Sequence, residues 1–124
     1  MKALLYSPEK EPVVLNLSPN HLTHIKNCVG EALLFKPFET SLSSRLRLVI
    51  NDQAILDGLP PNRFVPSSDS YNTYAPIQGN FMIVQVDKDE NIIDLEQNYI
   101  NYMLSHDFTW ASEVDASNTL FTFV

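Results

Sequence analysis

The stretch "GNFMIVQV", residues 79–86, decides how this chain is read. Phe81, Met82, Ile83 and Val84 follow one another with no polar residue between them, so both faces of a strand here are apolar. Such a strand is covered on both sides and lies inside a sheet. Asp87 to Asn91, "DKDEN", then make a turn.

Upstream, "RLRLVIN" (45–51) alternates, with Leu46, Leu48 and Ile50 on one face and Arg45, Arg47 and Asn51 on the other. That pattern predicts a half-buried strand. "EALLFK" (31–36) is a second apolar run before it. "KALLYS" (2–7) and "VVLNL" (13–17), separated by the proline-bounded "PEKEP", read as a β-hairpin. In "SPNHLTHIKNCVG", Ser18 fits an N-cap, Pro19 a first helical position and Gly30 the residue past the end. Leu22, Ile25 and Val29 then share the buried face. Asp94, with Gln97 three residues on, opens a second helix with a capping-box pattern. Leu95, Tyr99, Tyr102 and Met103 supply its stripe, and an aromatic tail offers a last strand. The expected fold is α+β, a mostly antiparallel sheet packed against two helices. It forms one domain over 1–124, with 1–106 as its core and 107–124 as a C-terminal extension.

Composition bounds the function. A 124-residue chain with 44% hydrophobic residues buries a core without staples. The single cysteine, Cys28, excludes an internal disulfide and fits a cytoplasmic protein. No run of 18 apolar residues occurs, so no membrane span is expected. The net charge of −7 is unevenly placed. Residues 1–63 carry seven basic and six acidic side chains, whereas 64–124 carry nine acidic side chains and only Lys88 as a base. An acidic second half disfavours nucleic acid, whose affinity comes from cationic contacts to phosphate, and favours either a basic protein partner or simply solubility.

Chemistry-bearing motifs are scarce. His21, His24 and Cys28 lie along one side of a single short helix, a poor tetrahedron for zinc, so no metal is expected. "DKDEN" opens like a calcium loop but has Ile92 where glycine is needed and Asn98 where glutamate is needed. With glycine only at 30, 58 and 79, no phosphate-cradling loop exists and no cofactor is expected.

Mid-chain, "GLPPNR" (58–63) sets two stiff prolines before Asn62 and Arg63. Prolines lack the donor a sheet interior needs, so an extended segment that does not join a sheet interior is expected. Asn62 is expected to satisfy the local backbone and Arg63 to pair with a nearby acid such as Asp57. The alternative is a presented loop contact by Asn62 and Arg63.

The hairpin "MKALLYSPEKEP", "CVGEALLFKPF" (28–38), "INDQAILDGLPPNR" (50–63) and "PIQGNFMIVQVD" (76–87) together resemble a bacterial, phage and mobile-element family, domain of unknown function three-eight-four-six. The resemblance covers roughly residues 1–105 and implies a fold but no activity. Two readings of function follow. The first is a non-catalytic interaction protein, an accessory or defence antagonist of a mobile element. Its acidic face of Asp87, Asp89, Glu90, Asp94 and Glu96 would dock on a basic protein surface. The second is a small-ligand or catalytic domain with a pocket near Arg63 and the polar loop 67–74. RNA binding through Lys2, Arg45 and Arg47 is a weaker third.

Overall fold

The apolar run at 81–86 forms the centre of the molecule. The structure, a computed structural model, describes residues 1–38, 45–65 and 76–113. In chain order its elements are β1 Lys2–Tyr6, β2 Val13–Asn16, α1 His21–Val29, β3 Leu33–Pro37 and β4 Leu46–Asn51. There follow β5 Pro61–Phe64, β6 Ile77–Gln78, β7 Phe81–Val86, β8 Ile92–Ile93, α2 Gln97–Ser105, β9 Thr109–Trp110 and a 3-10 turn Ala111–Glu113. The main sheet runs β2-β1-β7-β4-β3 with β8 paired to β7, and every pairing is antiparallel. Strand β7 lies between β1 and β4, and all six of its residues are buried. The chain is an α+β domain, as its hydrophobic pattern predicts.

Period-two alternation divides the core between the two faces of this sheet. Leu4, Tyr6, Leu46, Leu48, Phe81 and Ile83 pack with Ile100 and Met103 of α2. Ala3, Val49, Met82 and Val84 pack with Ile25 and Val29 of α1. With the two clusters on opposite faces, β4 is covered on both sides. Val49 is fully buried, so the expectation of a half-buried strand fails there.

Both helices start later than their capping patterns imply. The N-cap of α1 is Asn20 rather than Ser18, whose backbone N–H instead donates to His24 Nδ1 at 3.1 Å. Leu22 is consequently 47% exposed, and the buried face is Ile25 and Val29. Asp94 does not open α2. Its carboxylate accepts the Lys2 backbone N–H at 2.6 Å while the Leu95 N–H donates to the Lys2 carbonyl, so this stretch is tied to β1. The helix begins after Glu96, which is held by Gln85: its N–H donates to Gln85 Oε1 and its carboxylate accepts from Gln85 Nε2. That exchange also satisfies the one buried polar side chain of β7. The stripe of α2 runs through Ile100 and Met103, while Tyr102 lies outside it, stacked on His106.

The prolines meet a sheet after all. A small second sheet has the order β6-β5-β9, with β5 in the middle. Pro61 is the first residue of β5, and the register with β6 slips between Pro61 and Arg63. The segment therefore does join a sheet interior, against expectation, because a strand start beside a bulge is where a missing N–H is tolerated. Gly79 closes the connection to β7 at φ +75°, where a Cβ would lie 2.7 Å from Leu59 Cδ1. The tail strand expected near the C-terminus and the polar loop 67–74 lie outside the described residues. No helix among the described residues is long and apolar enough to cross a membrane.

Candidate functional site

Arg63 is the most deeply buried charge in the described molecule, with a relative exposure of 0%. A guanidinium carries five N–H donors, and here each has an acceptor. Nε donates to Asp107 Oδ1 at 3.2 Å. One terminal nitrogen donates to the Ser7 carbonyl at 3.1 Å and to Asn62 Oδ1 at 2.7 Å. The other donates to the Lys10 carbonyl at 2.5 Å and to Asp107 Oδ2 at 3.1 Å. The guanidinium also lies over two aromatic rings, with its carbon 4.5 Å from the Trp110 centroid and 5.5 Å from that of Tyr6. The acid that pairs with Arg63 is therefore Asp107, not the expected Asp57. Asp107 is itself saturated, accepting also from Trp110 Nε1 at 2.8 Å and from the Phe108 N–H at 2.7 Å.

Asn62 completes the unit. Its amide donates to the carbonyls of Tyr6 and Gly79 at 3.0 and 2.9 Å while its oxygen accepts from Arg63. Together these bonds clamp the β1–β2 turn, β5 and the segment after α2 onto one centre. Below them Tyr6 stacks on Phe81 at 4.7 Å, with Phe108 5.4 Å away. Burial, reinforced by the negative charge of Asp107, pushes the Tyr6 phenol well above its ordinary pKa. Its hydroxyl has no hydrogen-bond partner among the described residues. The cluster holds the fold together and has no N–H of Arg63 left for a ligand.

The five carboxylates grouped by sequence are in part occupied. Asp87 accepts from the backbone of Asp89 and Asn91 at 2.9 Å each, closing its own turn. These bonds, the one from Asn91 foremost, hold its carboxyl below the ordinary range. Glu90 takes a forked pair from Arg47 at 3.0 and 2.6 Å, and that bonding lowers its pKa as well. Asp94 is tied to Lys2 and Glu96 to Gln85. Asp89 is the member whose carboxylate makes no bond among the described residues.

No cluster of metal-ligating side chains occurs among the described residues. His24 Nδ1 is used by Ser18, and burial pushes the Cys28 thiol up, away from the reactive thiolate. Cys28 lines a shallow cavity of about 260 Å³ with Pro8, Leu59, Pro60 and Gly79. This hollow lies against the proline segment, and Arg63 does not line it.

A different feature was not singled out from sequence. Between β4 and β5 the chain makes a turn over residues 52–58, and its Ile55 and Leu56 are 79% and 80% exposed. They are the most exposed large apolar side chains described. The turn is internally bonded: Gln53 N–H to Asn51 Oδ1 at 2.9 Å, Asp57 N–H to the Gln53 carbonyl at 2.9 Å and Leu59 N–H to the Ala54 carbonyl at 3.0 Å. Ala54, 5% exposed, anchors it. The readable signal was the short apolar run Ala54-Ile55-Leu56 between "NDQ" and "DG", a turn composition too short to form a core face of its own.

An antiparallel sheet with a helix packed on each face and a buried arginine as its clamp, with no cluster of metal-ligating side chains among its described residues, defines a small α+β module. Residues 1–108 match the family described as a domain of unknown function, DUF3846, and the chain belongs to that family. Neither the comparison with curated proteins nor that with solved structures returns a match.

Proposed function

We propose that this chain is a non-catalytic interaction protein of the cytoplasm that docks on a basic protein surface. Its leading contact is the Ile55–Leu56 tip with Asp57 beside it. The observation that carries this reading is the exposure of those two adjacent side chains on an internally bonded turn. Scattered exposed leucines are normal on any protein. Two neighbours, each about four-fifths exposed, are held outward by backbone bonds at a position where either could have been polar without cost to the core. A pre-ordered apolar tip loses little entropy on binding and fills a pocket in the manner of an interface anchor. Asp57 follows directly, so the complementary pocket is apolar with a lysine or arginine at its rim.

The carboxylates of Asp87, Asp89, Glu90, Asp94 and Glu96 serve this reading as a field that steers a basic partner, with Asp89 the one available for direct contact. In the bacterial and mobile-element setting that the sequence resemblance implies, such a partner is a protein whose basic surface otherwise holds nucleic acid. A ligand pocket at Arg63 draws no support from a guanidinium with all five donors engaged.

The test is a pull-down from a lysate of the source organism with three baits: native protein, Ile55→Ser/Leu56→Ser, and Asp87→Lys/Asp89→Lys/Glu90→Lys. A partner retained by native bait, lost from the tip variant and captured more slowly by the charge variant supports the reading. Equal capture by native and tip variants contradicts it.

A further inference from the structure

We propose that two copies of this chain pair through the outer edge of β3, forming a dimer with one continuous antiparallel sheet. Strand β3 ends the sheet order, with β4 on its inner side and no strand beyond it among the described residues. The direction of its backbone groups follows from the ladder. The Asp52 N–H donates to the Ala32 carbonyl at 2.7 Å and the Phe38 N–H to the Leu46 carbonyl at 3.0 Å. Both pairs lie on the printed register of β3 with β4, so even-numbered residues face β4. Leu33 and Phe35 therefore turn both their N–H and C=O outward, and Pro37 turns out a carbonyl and no donor. Such a row, unpaired among the described residues, is a template for another strand.

The residues along the edge fit their own two-fold copy. A dyad perpendicular to the sheet at Leu34 sets Leu33 opposite Phe35 of the second copy, and Phe35 opposite its Leu33. Each of these pairs exchanges two backbone hydrogen bonds. Leu34 meets Leu34 in the closer, non-hydrogen-bonded position. Leu34 and Phe35 are 38% and 39% exposed, so pairing covers apolar surface on both faces. Leu34 extends the row of Ile50 on one face, and Phe35 that of Val49 on the other.

Charge completes the match. The same register places Lys36 of the second copy opposite Ala32, which is next to Asp52 in the ladder on its inner side. All three side chains point to one face, so the lysine stem crosses a small alanine toward the carboxylate of Asp52. No like charges face each other across the dyad. At the opposite edge of the sheet, β2 turns out Val14 and Asn16, and Asn16 Oδ1 is already engaged by the N-terminal ammonium at 2.9 Å. Strand pairing over so few residues buries less than the ~1,200 Å² of a standard stable interface, so the dimer is a weak one that forms at micromolar concentration. This inference goes beyond the proposed function and does not depend on the tip at Ile55 and Leu56.

Sedimentation equilibrium of the full chain, from about 1 to about 200 μM, tests it. The native protein should move from 14.1 kDa toward twice that mass. Leu34→Lys, which sets two cations face to face at the dyad, should remain monomeric with a circular dichroism spectrum like the native one. Lys36→Asp should weaken the dimer at least about tenfold by repulsion from Asp52, and Lys36→Asp/Asp52→Lys should restore it. A native protein that stays monomeric throughout the range overturns the proposal. So does a Leu34→Lys protein that still dimerises, or a charge swap that fails to rescue.

Discussion

Replacing Arg63 by alanine tests the clamp described above. The substitution removes five donated hydrogen bonds and the guanidinium's contacts with the Tyr6 and Trp110 rings, and it strands Asp107. Breaking one side of a buried ion pair costs about 3–5 kcal/mol, most of it from the uncompensated charge. Asp107 retains 18% of its side-chain exposure and keeps its bonds from Trp110 and Phe108, so water and those donors relieve part of the cost. The lower end, about 3 kcal/mol, is therefore expected. For a domain of this size that lowers Tm by roughly 10–15 °C. Arg63→Lys keeps the charge but not the planar fork, so it should recover only part of the loss. Urea titration followed by tryptophan fluorescence suits the experiment, because Trp110 is the single tryptophan and stacks on the guanidinium. Emission of the folded variant should shift to the red as that ring gains water. A loss below about 1 kcal/mol, the range of an exposed pair, with unchanged emission would refute the reasoning.

Gly79→Ala should destabilise by about 1–3 kcal/mol, because alanine is strained at φ +75° and its Cβ meets Leu59 at 2.7 Å; chemical denaturation measures it, and a neutral result would contradict the conformation assigned there. Asp87 and Glu90 have folded pKa values below their unfolded ones, so their contribution is present above the ordinary carboxylate range of about 4 and lost as pH falls through the depressed values. The Tm should therefore fall on acidification below about pH 4, and Arg47→Ala should flatten that fall by releasing Glu90, which thermal melts across pH can read.

What the sequence made legible was what local pattern encodes. The centre of the sheet was readable because Phe81 to Val84 leave no polar face, and one such strand orders its neighbours. The start of α2 is hidden in the sequence because its cap residues have partners on other elements. Asp94 is taken by the Lys2 backbone, 92 residues earlier, and Glu96 by Gln85. The same holds for Arg63: a nearby acid was expected, and the acid it found lies 44 residues on, in the segment set apart as an extension. The acidic group looked uniform in sequence because Arg47, 43 residues before Glu90, cannot be placed beside it without the register of β4 and β7. The turn that carries Ile55 and Leu56 is legible in its composition, but the exposure of the two side chains is a property of the fold.

The most direct measurement compares native protein with Ile55→Ser/Leu56→Ser, recording stability and capture of the same partner on the same samples. Both side chains are about four-fifths exposed, so the melting temperature should stay within the small range of surface substitutions. Partner capture should meanwhile fall to background. A variant that melts with the native protein and captures the partner equally well would contradict the tip as the working surface.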